Sequence, residues 1–451
     1  MSQPHVYPEA FLQRIKNILS DGFDVFVKSL DEPSPTSVRL NPYKPVTKFD
    51  TEEKVSWCAN GRYLAERPSF TFDPLFHAGT YYVQEASSMF VEQAWQATGA
   101  GNQPVLVLDL CAAPGGKSTH LLSLMSSDSL LVCNEIIPNR NKILQQNIVK
   151  WGTANCIITQ NKPADFAALA NWFDIVLVDA PCSGEGLFRK DKDAIDEWSE
   201  RNVELCATRQ SEILQYATAA LKPGGYLIYS TCTYEPAEND NQILELGMRN
   251  VENLDFGLRN LDSIQNTGIV KTEYGYQFYP HMVKGEGFYL SLQQKHGADS
   301  PYRQPVAAIT KINKQYSDIL EQYLEQPEAF TPYVKNDMLF ALPLHLANDF
   351  DYMQRNFYLR HSGIFMGTLK GKDFLPAHDL ALSIHLKKGL PTVEANHDEA
   401  IAYLRCETPK LPTTQTGWML VTHQQYPLGW IKAMPGRYNN YFPKELRILK
   451  R

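Results

Sequence analysis

Val105-Leu-Val-Leu-Asp-Leu-Cys-Ala-Ala-Pro-Gly-Gly-Lys-Ser118 is the stretch that decides how this chain is read. Its first six residues form a short apolar run of the kind a central parallel strand shows. Ala-Pro-Gly-Gly then reads as a tight turn, and Lys117-Ser118 as the start of a helix. Glycines at such a turn let backbone N–H groups approach a ligand, and a helix N-terminus favours a carboxylate or phosphate. The spacing is neither G-x-G-x-x-G nor the P-loop, which needs four residues between its first glycine and Gly-Lys. A dinucleotide or a nucleoside triphosphate is therefore disfavoured.

Working outward, further strands are expected at 130–134, 156–160, 174–179 and 225–231, with helices over 139–150 and 200–221 between them. That alternation means a mostly parallel sheet covered by helices on both faces, an α/β fold of Rossmann-like type. Glu286–Leu292 reads as a late strand closing the sheet's edge. Upstream, Glu9–Leu19 and Glu85–Ala97 read as helices, and Val38–Asn41 as a strand. Downstream, Gly297, Pro301 and Pro305 suggest a linker over 296–305. A helix near 314–325 and short strands follow, and the tail is rich in Gly, Pro and aromatics.

With 451 residues the chain exceeds what one core usually serves. Four parts are expected: an N-terminal α+β extension (1–95), the α/β domain (96–295), an α+β linker domain (306–385) and a small β-rich module (386–451). Charged residues make up 21% and the net charge is -7, an ordinary globular balance that does not advertise a nucleic-acid binder but leaves room for a local basic face. No apolar run approaches the ~18 residues that span a bilayer, and the start lacks a secretory pattern. The eight cysteines are scattered without a C-x-x-C pair. Zinc and a disulfide framework are disfavoured, no metal is expected, and a reduced, cytoplasmic setting fits best.

The strand at 130–134 ends in Glu135, an acidic residue placed to bind ribose hydroxyls. A ribose plus a small zwitterion describes S-adenosylmethionine, whose amino-acid end would meet Gly115, Gly116 and Lys117. Two more strand ends carry cysteines: Cys182 in Val178-Asp-Ala-Pro-Cys-Ser-Gly184 and Cys232 in Tyr229-Ser-Thr-Cys-Thr-Tyr234. Ligands of open α/β sheets gather at such ends. A methyl donor beside two thiols points to carbon methylation of a pyrimidine. Carbon 5 of cytosine is a poor nucleophile until a thiolate adds to carbon 6, and a nearby acid helps as charge develops. Either thiol qualifies by position, and Asp179 lies three residues before Cys182. Cys58, Cys133, Cys156, Cys206 and Cys406 read as structural, as does Cys111 beside the cofactor loop.

Three blocks together carry a family resemblance: Asp109-Leu-Cys-Ala-Ala-Pro-Gly-Gly-Lys-Ser118, Asp179-Ala-Pro-Cys-Ser-Gly-Glu-Gly186 and Ser230-Thr-Cys-Thr-Tyr-Glu-Pro-Ala-Glu-Asn239. They look like the signature blocks of RNA cytosine-5 methyltransferases of the NOL/NOP/Sun family. Val38-Arg-Leu-Asn41 and Tyr82-Val-Gln-Glu-Ala-Ser-Ser88 extend the similarity. The tail, with Leu359–Gly367, Pro376–Leu382 and Pro427–Lys432, resembles the bacterial RsmF branch. This implies a class I methyltransferase using S-adenosylmethionine, with Cys232 as nucleophile, Cys182 assisting release of the product, and Asp179 contacting both cofactor and base. The cofactor loop becomes Cys111, Ala112, Ala113, Pro114, Gly115, Gly116 and Lys117. Where the family carries an adenine-contacting aspartate this chain has Asn161, with Asp165 nearby; an Asn carbonyl oxygen can still accept from an adenine amine.

The resemblance also implies a PUA-like fold among the C-terminal RNA-binding modules. There Trp418, Tyr426, Trp430, Tyr438, Tyr441 and Phe442 interleave with Lys432, Arg437, Lys444, Arg447, Lys450 and Arg451, as stacking plus phosphate contact requires. Tyr438 or Tyr441 is the expected exposed aromatic, and Arg39, Arg189 and Lys190 are expected phosphate contacts near the thiols. The implied substrate is 16S ribosomal RNA or the 30S subunit, with a monomeric enzyme, no DNA and no membrane. The rivals are a transfer-RNA cytosine-5 methyltransferase and a non-catalytic RNA-binding or assembly factor.

Overall fold

A computed structural model describes residues 6–101, 103–247, 251–256, 268–297, 313–371, 373–413 and 415–450. Most of the expected linker at 296–305 lies outside the described residues, as does Arg451.

The N-terminal sheet consists of β1 (Thr36–Leu40), β2 (Gly61–Leu64) and β3 (Tyr81–Val83), with β1 central and all pairs antiparallel. The central sheet is built on β4 (Leu106–Asp109), β5 (Leu130–Asn134), β6 (Cys156–Thr159), β7 (Phe173–Asp179) and β8 (Leu221–Thr231). Its parallel core runs β6-β5-β4-β7-β8, so the winding direction reverses at β4. The strands are buried on both faces because alternate apolar side chains feed two cores. Val107, Leu131, Ile175 and Leu177 enter one, and Leu108, Val132, Val176 and Val178 the other. Phe288–Lys295 pairs antiparallel with β8 as its apolar pattern suggested, but it does not close the sheet's edge, because Tyr276–Phe278 and then Val270–Lys271 add antiparallel strands beyond it. At the opposite edge Leu359–Ser362, a strand from far down the chain, pairs antiparallel with β6. It covers an edge that would otherwise offer unpaired N–H and C=O groups.

Helix Glu9–Leu19 forms as its spacing predicts and buries Phe11 and Ile15. The predicted helix Glu85–Ala97 is shorter: a 3-10 turn at Ser87–Phe90 precedes an α-helix over Val91–Ala97. The reason is local, since the Glu85 carboxylate caps the Ser87 and Ser88 N–H groups at 2.7 and 2.8 Å and starts the turn after itself. Downstream a four-stranded antiparallel sheet (Phe330–Lys335, Met338–Pro343, Ile364–Lys370, Asp373–Pro376) is followed by another formed by Thr392–Glu394, Gly417–His423, Tyr426–Met434 and Arg437–Asn440. No helix among the described residues is long and apolar enough to cross a membrane.

Arg39 is a correction. Expected to face phosphate, it is fully buried. Its guanidinium donates to Gln84 Oε1 at 2.8 Å and Thr119 Oγ1 at 2.6 Å, and lies 4.4 Å from the centre of the Trp151 ring. Such a desolvated cation–π contact is worth about 2 kcal/mol. Burial lowers the Arg39 pKa to about 10. Arg39 therefore clamps the N-terminal sheet onto the helix that follows the cofactor loop. Folding also gathers Cys58, Glu92 and His120, all buried and distant in sequence. His120 Nε2 lies 3.0 Å from Glu92 Oε2 and 3.7 Å from Cys58 Sγ, a hydrogen-bonded cluster inside the core.

Candidate active site

The winding reversal at β4 opens a crevice at the carboxyl ends of β4, β7 and β8, where open α/β sheets hold their ligands. The chain leaves β4 through Gly115, whose φ of +106° lies in the left-handed region glycine tolerates. Helix Gly116–Leu124 begins at once, aiming its N-terminal N–H groups at the crevice. A cleft of roughly 180 Å³ lies there, lined on one side by Asp109, Cys111, Ala112, Ala113, Pro114, Gly116, Lys117 and Asp179. Its other wall comes from the N-terminal extension: Tyr82, Val83, Gln84, Glu85 and Ser88. These five were visible in the sequence only as part of the resemblance, with no site role attached.

Charge in the cleft is mixed. Lys117 Nζ meets Asp179 Oδ1 at 2.8 Å, and Ser230 Oγ donates to the same oxygen at 2.8 Å. Burial works against the Lys117 ammonium, yet the Asp179 carboxylate outweighs it and holds the pKa above the ordinary lysine value. Asp109 accepts from Ser118 Oγ at 2.6 Å through Oδ2, while its buried Oδ1 has no partner. Burial pushes this carboxyl up to about 7. Acidic Asp109, Glu85 and Asp179 suit a ligand carrying positive charge, and the helix N-terminus suits a carboxylate on the same ligand. A sulfonium amino acid has both.

The two thiols converge. Cys182 follows the end of β7 and Cys232 the end of β8, and their sulfurs lie 3.1 Å apart. The Cys232 N–H donates to Cys182 Sγ at 3.3 Å. The close contact with Cys232, reinforced by burial, pushes the Cys182 pKa well up. Both loops are tied down from several sides. Arg14, on the N-terminal helix, ion-pairs with Glu185 of the first loop and, at 2.5 Å, with Glu235 of the second. Glu185 is buried and also accepts from Trp198 Nε1 at 2.8 Å. Ser183 and Thr233 hydroxyls meet at 3.0 Å across the loops. None of these tethers has a sequence signal, because each partner is distant along the chain.

Five predicted site residues lie outside the cleft lining: the two thiols just described, Gly115, Glu135 and Asn161. Gly115 shapes the turn beneath it. Glu135 is buried at the end of β5, caps the Ile137 N–H at 2.8 Å and pairs with Arg140 at 3.4 Å. Asn161 follows β6, and its side-chain oxygen accepts from the Tyr358 N–H at 3.0 Å, a contact with the far C-terminal region. Arg189 spends its guanidinium on the carbonyls of Glu32, Pro33 and Gly285, so the expected phosphate contact is instead a loop clamp, whereas Lys190 is exposed. In the tail Tyr438 donates to the Pro409 carbonyl at 2.5 Å, and Tyr441 is the exposed ring, 37% accessible. Tyr441 packs edge-on against Trp418, with Lys432 over the Trp418 ring. Trp430 and Phe442 are core.

Comparison with known proteins covers all of these parts. Residues 100–294 match the family described as 16S rRNA methyltransferase RsmB/F, residues 7–86 the N-terminal domain of 16S rRNA methyltransferase RsmF, and residues 390–448 the methyltransferase RsmF PUA domain. The ribosomal RNA small subunit methyltransferase F of an Enterobacter strain is 30% identical over 99% of this chain and 97% of its own length. That of Vibrio parahaemolyticus is 30% identical over 98% of each. A solved methyltransferase homologue from Pyrococcus horikoshii superposes with a TM-score of 0.54 at 25% identity, over 64% of this chain and 95% of its own. NSun6 from the same organism, solved with SFG, shares the fold with a TM-score of 0.54 at 17% identity over 64% of this chain and 99% of its own.

Proposed function

The chain belongs to the RsmF family of ribosomal RNA small subunit methyltransferases, and from that premise we propose that it methylates carbon 5 of cytidine in 16S ribosomal RNA through a covalent cysteine adduct. As a member it is an S-adenosylmethionine-dependent RNA methyltransferase. What carries the finer chemistry is the meeting of two thiols at 3.1 Å beside an Asp179–Lys117 pair, at the rim of a cleft suited to a sulfonium amino acid.

S-adenosylmethionine, when bound, supplies an electrophilic methyl group. Lys117, Gly116 and the loop Cys111–Pro114 would hold its amino-acid end, with Asp109 and Asp179 balancing positive charge. Glu135 and Asn161 are the proposed ribose and adenine contacts. The base must leave its stack to enter so narrow a crevice. Cys232 thiolate adds to carbon 6, forming a C–S bond and moving the ring's electrons toward carbon 5. Asp179, fixed by Ser230 and Lys117 through one oxygen, keeps the other for the base, where it accepts a hydrogen bond from the proton that ring nitrogen 3 takes up as negative charge develops. After carbon 5 gains its methyl group, the donor departing as a neutral thioether, a water takes the carbon 5 proton, the electron pair left behind re-forms the 5,6 double bond and breaks the C–S bond, and Cys232 leaves as a thiolate with the Cys182 thiol assisting.

We assign 1–95 to an RNA-facing extension, 96–295 to catalysis, 306–385 to a linking α+β domain and 386–451 to a PUA-like RNA-binding domain. Tyr441, Arg437 and Lys444 form its proposed contact face, and the enzyme acts as a monomer. The direct test supplies purified protein with methyl-labelled S-adenosylmethionine and either 16S RNA or 30S subunits, followed by bisulfite mapping. Label at a cytidine carbon 5 is expected. Label only on transfer RNA would move the substrate, and no label on any RNA would refute the activity.

A further inference from the structure

Glu238 follows Cys232 in sequence but turns back beneath the other thiol. It is fully buried in the 3-10 turn Pro236–Glu238. Its Oε2 accepts from the Ser183 N–H, the residue after Cys182, at 2.9 Å and from Gln210 Nε2 at 2.8 Å. Gln210, in turn, donates to the carbonyl of Pro181, the residue before Cys182, at 3.0 Å. Both neighbours of Cys182 therefore hang from one carboxylate–amide unit. The second oxygen, Oε1, is buried without a partner. No ion pair meets this carboxylate among the described residues, whereas Asp179, Glu185 and Glu235 nearby each pair with a lysine or arginine.

A buried carboxylate held by neutral donors, with no counter-charge, must act on whatever ionisable groups surround it. Those facing it are Cys182 on the β7 loop, Tyr229 on β8, Cys206 on helix Glu200–Ala220, and Glu185. Cys182 in addition faces Cys232. Cys232 lies on the other side, toward Lys117, whose ammonium it helps to sustain. One thiol thus sits toward an anion and the other toward a cation.

We propose that Glu238 is the positioning residue that separates the roles of the two thiols, holding the Cys182 loop in place and adding its charge to the Cys232 contact and burial that favour a protonated Cys182 while Cys232 attacks. Burial raises the Glu238 carboxyl to about 7, so the charge is present in neutral to alkaline solution. A protonated Cys182 beside the nucleophile cannot compete for carbon 6, and it remains available when the adduct is resolved. The inference rests on the thiol roles proposed above, but its electrostatic half can be read without any RNA.

The experiment follows iodoacetamide alkylation of Cys182 by peptide mass spectrometry in the full-length Cys232→Ala chain at pH 8. Cys182 should react at least about tenfold more slowly than free glutathione, because burial and the Glu238 charge favour its protonated form. Adding Glu238→Gln, which keeps the shape and removes the charge, should speed it by more than about threefold. Gln210→Met keeps the charge but loosens the loop, and alkylation should stay within about twofold of the parent. A Cys182 as reactive as glutathione, or one unmoved by Glu238→Gln, overturns the proposal even if that variant's melting curve matches the parent. With Cys232 restored, Glu238→Gln should retain adduct formation on RNA and slow product release. Loss of methylation in the unmodified enzyme would count against the catalytic reading instead, which keeps the two failures apart.

Discussion

Two pairs of cysteines meet on the same sheet. Cys133 and Cys156 face each other from β5 and β6 with sulfurs 3.7 Å apart, while Cys182 and Cys232 meet at 3.1 Å beyond the ends of β7 and β8. By distance alone the pairs are nearly alike. The first lies mid-sheet within the apolar core beside Leu131 and Ile158. There burial pushes the Cys133 pKa well up, and no substrate could reach it. The second pair is half-buried at strand ends, among Lys117, Asp179 and Glu238. Thiol proximity is therefore no sign of chemistry; strand-end placement and charged neighbours are.

The sharpest way to break the contrast is Cys232→Ala. Methylation should fall by at least about a thousandfold with no covalent RNA–protein band on a denaturing gel, since the nucleophile itself is lost. Next comes Cys182→Ala, for which turnover should fall about a hundredfold while the covalent band accumulates; a missing band would reverse the assignment of the two thiols. Asp179→Asn keeps the contacts with Lys117 and Ser230 partly intact but removes the charge. A drop of roughly tenfold to a hundredfold in kcat is expected, and an unchanged kcat would take Asp179 out of the mechanism. The smallest effect belongs to the core pair. Cys133→Ala should leave methylation within about twofold while costing about 1–2 kcal/mol in urea unfolding, because it removes only packed volume. If Cys133→Ala instead abolished methylation without unfolding the chain, the contrast between the pairs would collapse.

Arg14 and Arg39 show why parts of the site stay hidden in a sequence. Each is a basic residue in the N-terminal region, and nothing nearby says that one pairs with Glu185 and Glu235 while the other stacks on Trp151. Arg39 read as a phosphate contact because isolated arginines are usually exposed; its partners, Gln84 and Thr119, are each tens of residues away. The same holds for Tyr358, whose backbone reaches Asn161 across 197 positions of sequence. By contrast the cofactor loop was legible because its strand, turn and helix are consecutive, and apolar period, glycines and helix start are all local properties.

Whatever depends on neighbours along the chain could be read from the residues alone: the α/β alternation, the Gly115–Lys117 turn, and the presence of Cys182 and Cys232 just past apolar strands. Local φ/ψ preference and side-chain period suffice for those. Folding in three dimensions was needed to bring the thiols to 3.1 Å, to set the N-terminal extension as the cleft's second wall, and to carry Glu238 back to the Ser183 N–H beside Cys182. Those depend on parallel strands brought side by side by long crossovers, a packing outcome that no short window of residues encodes.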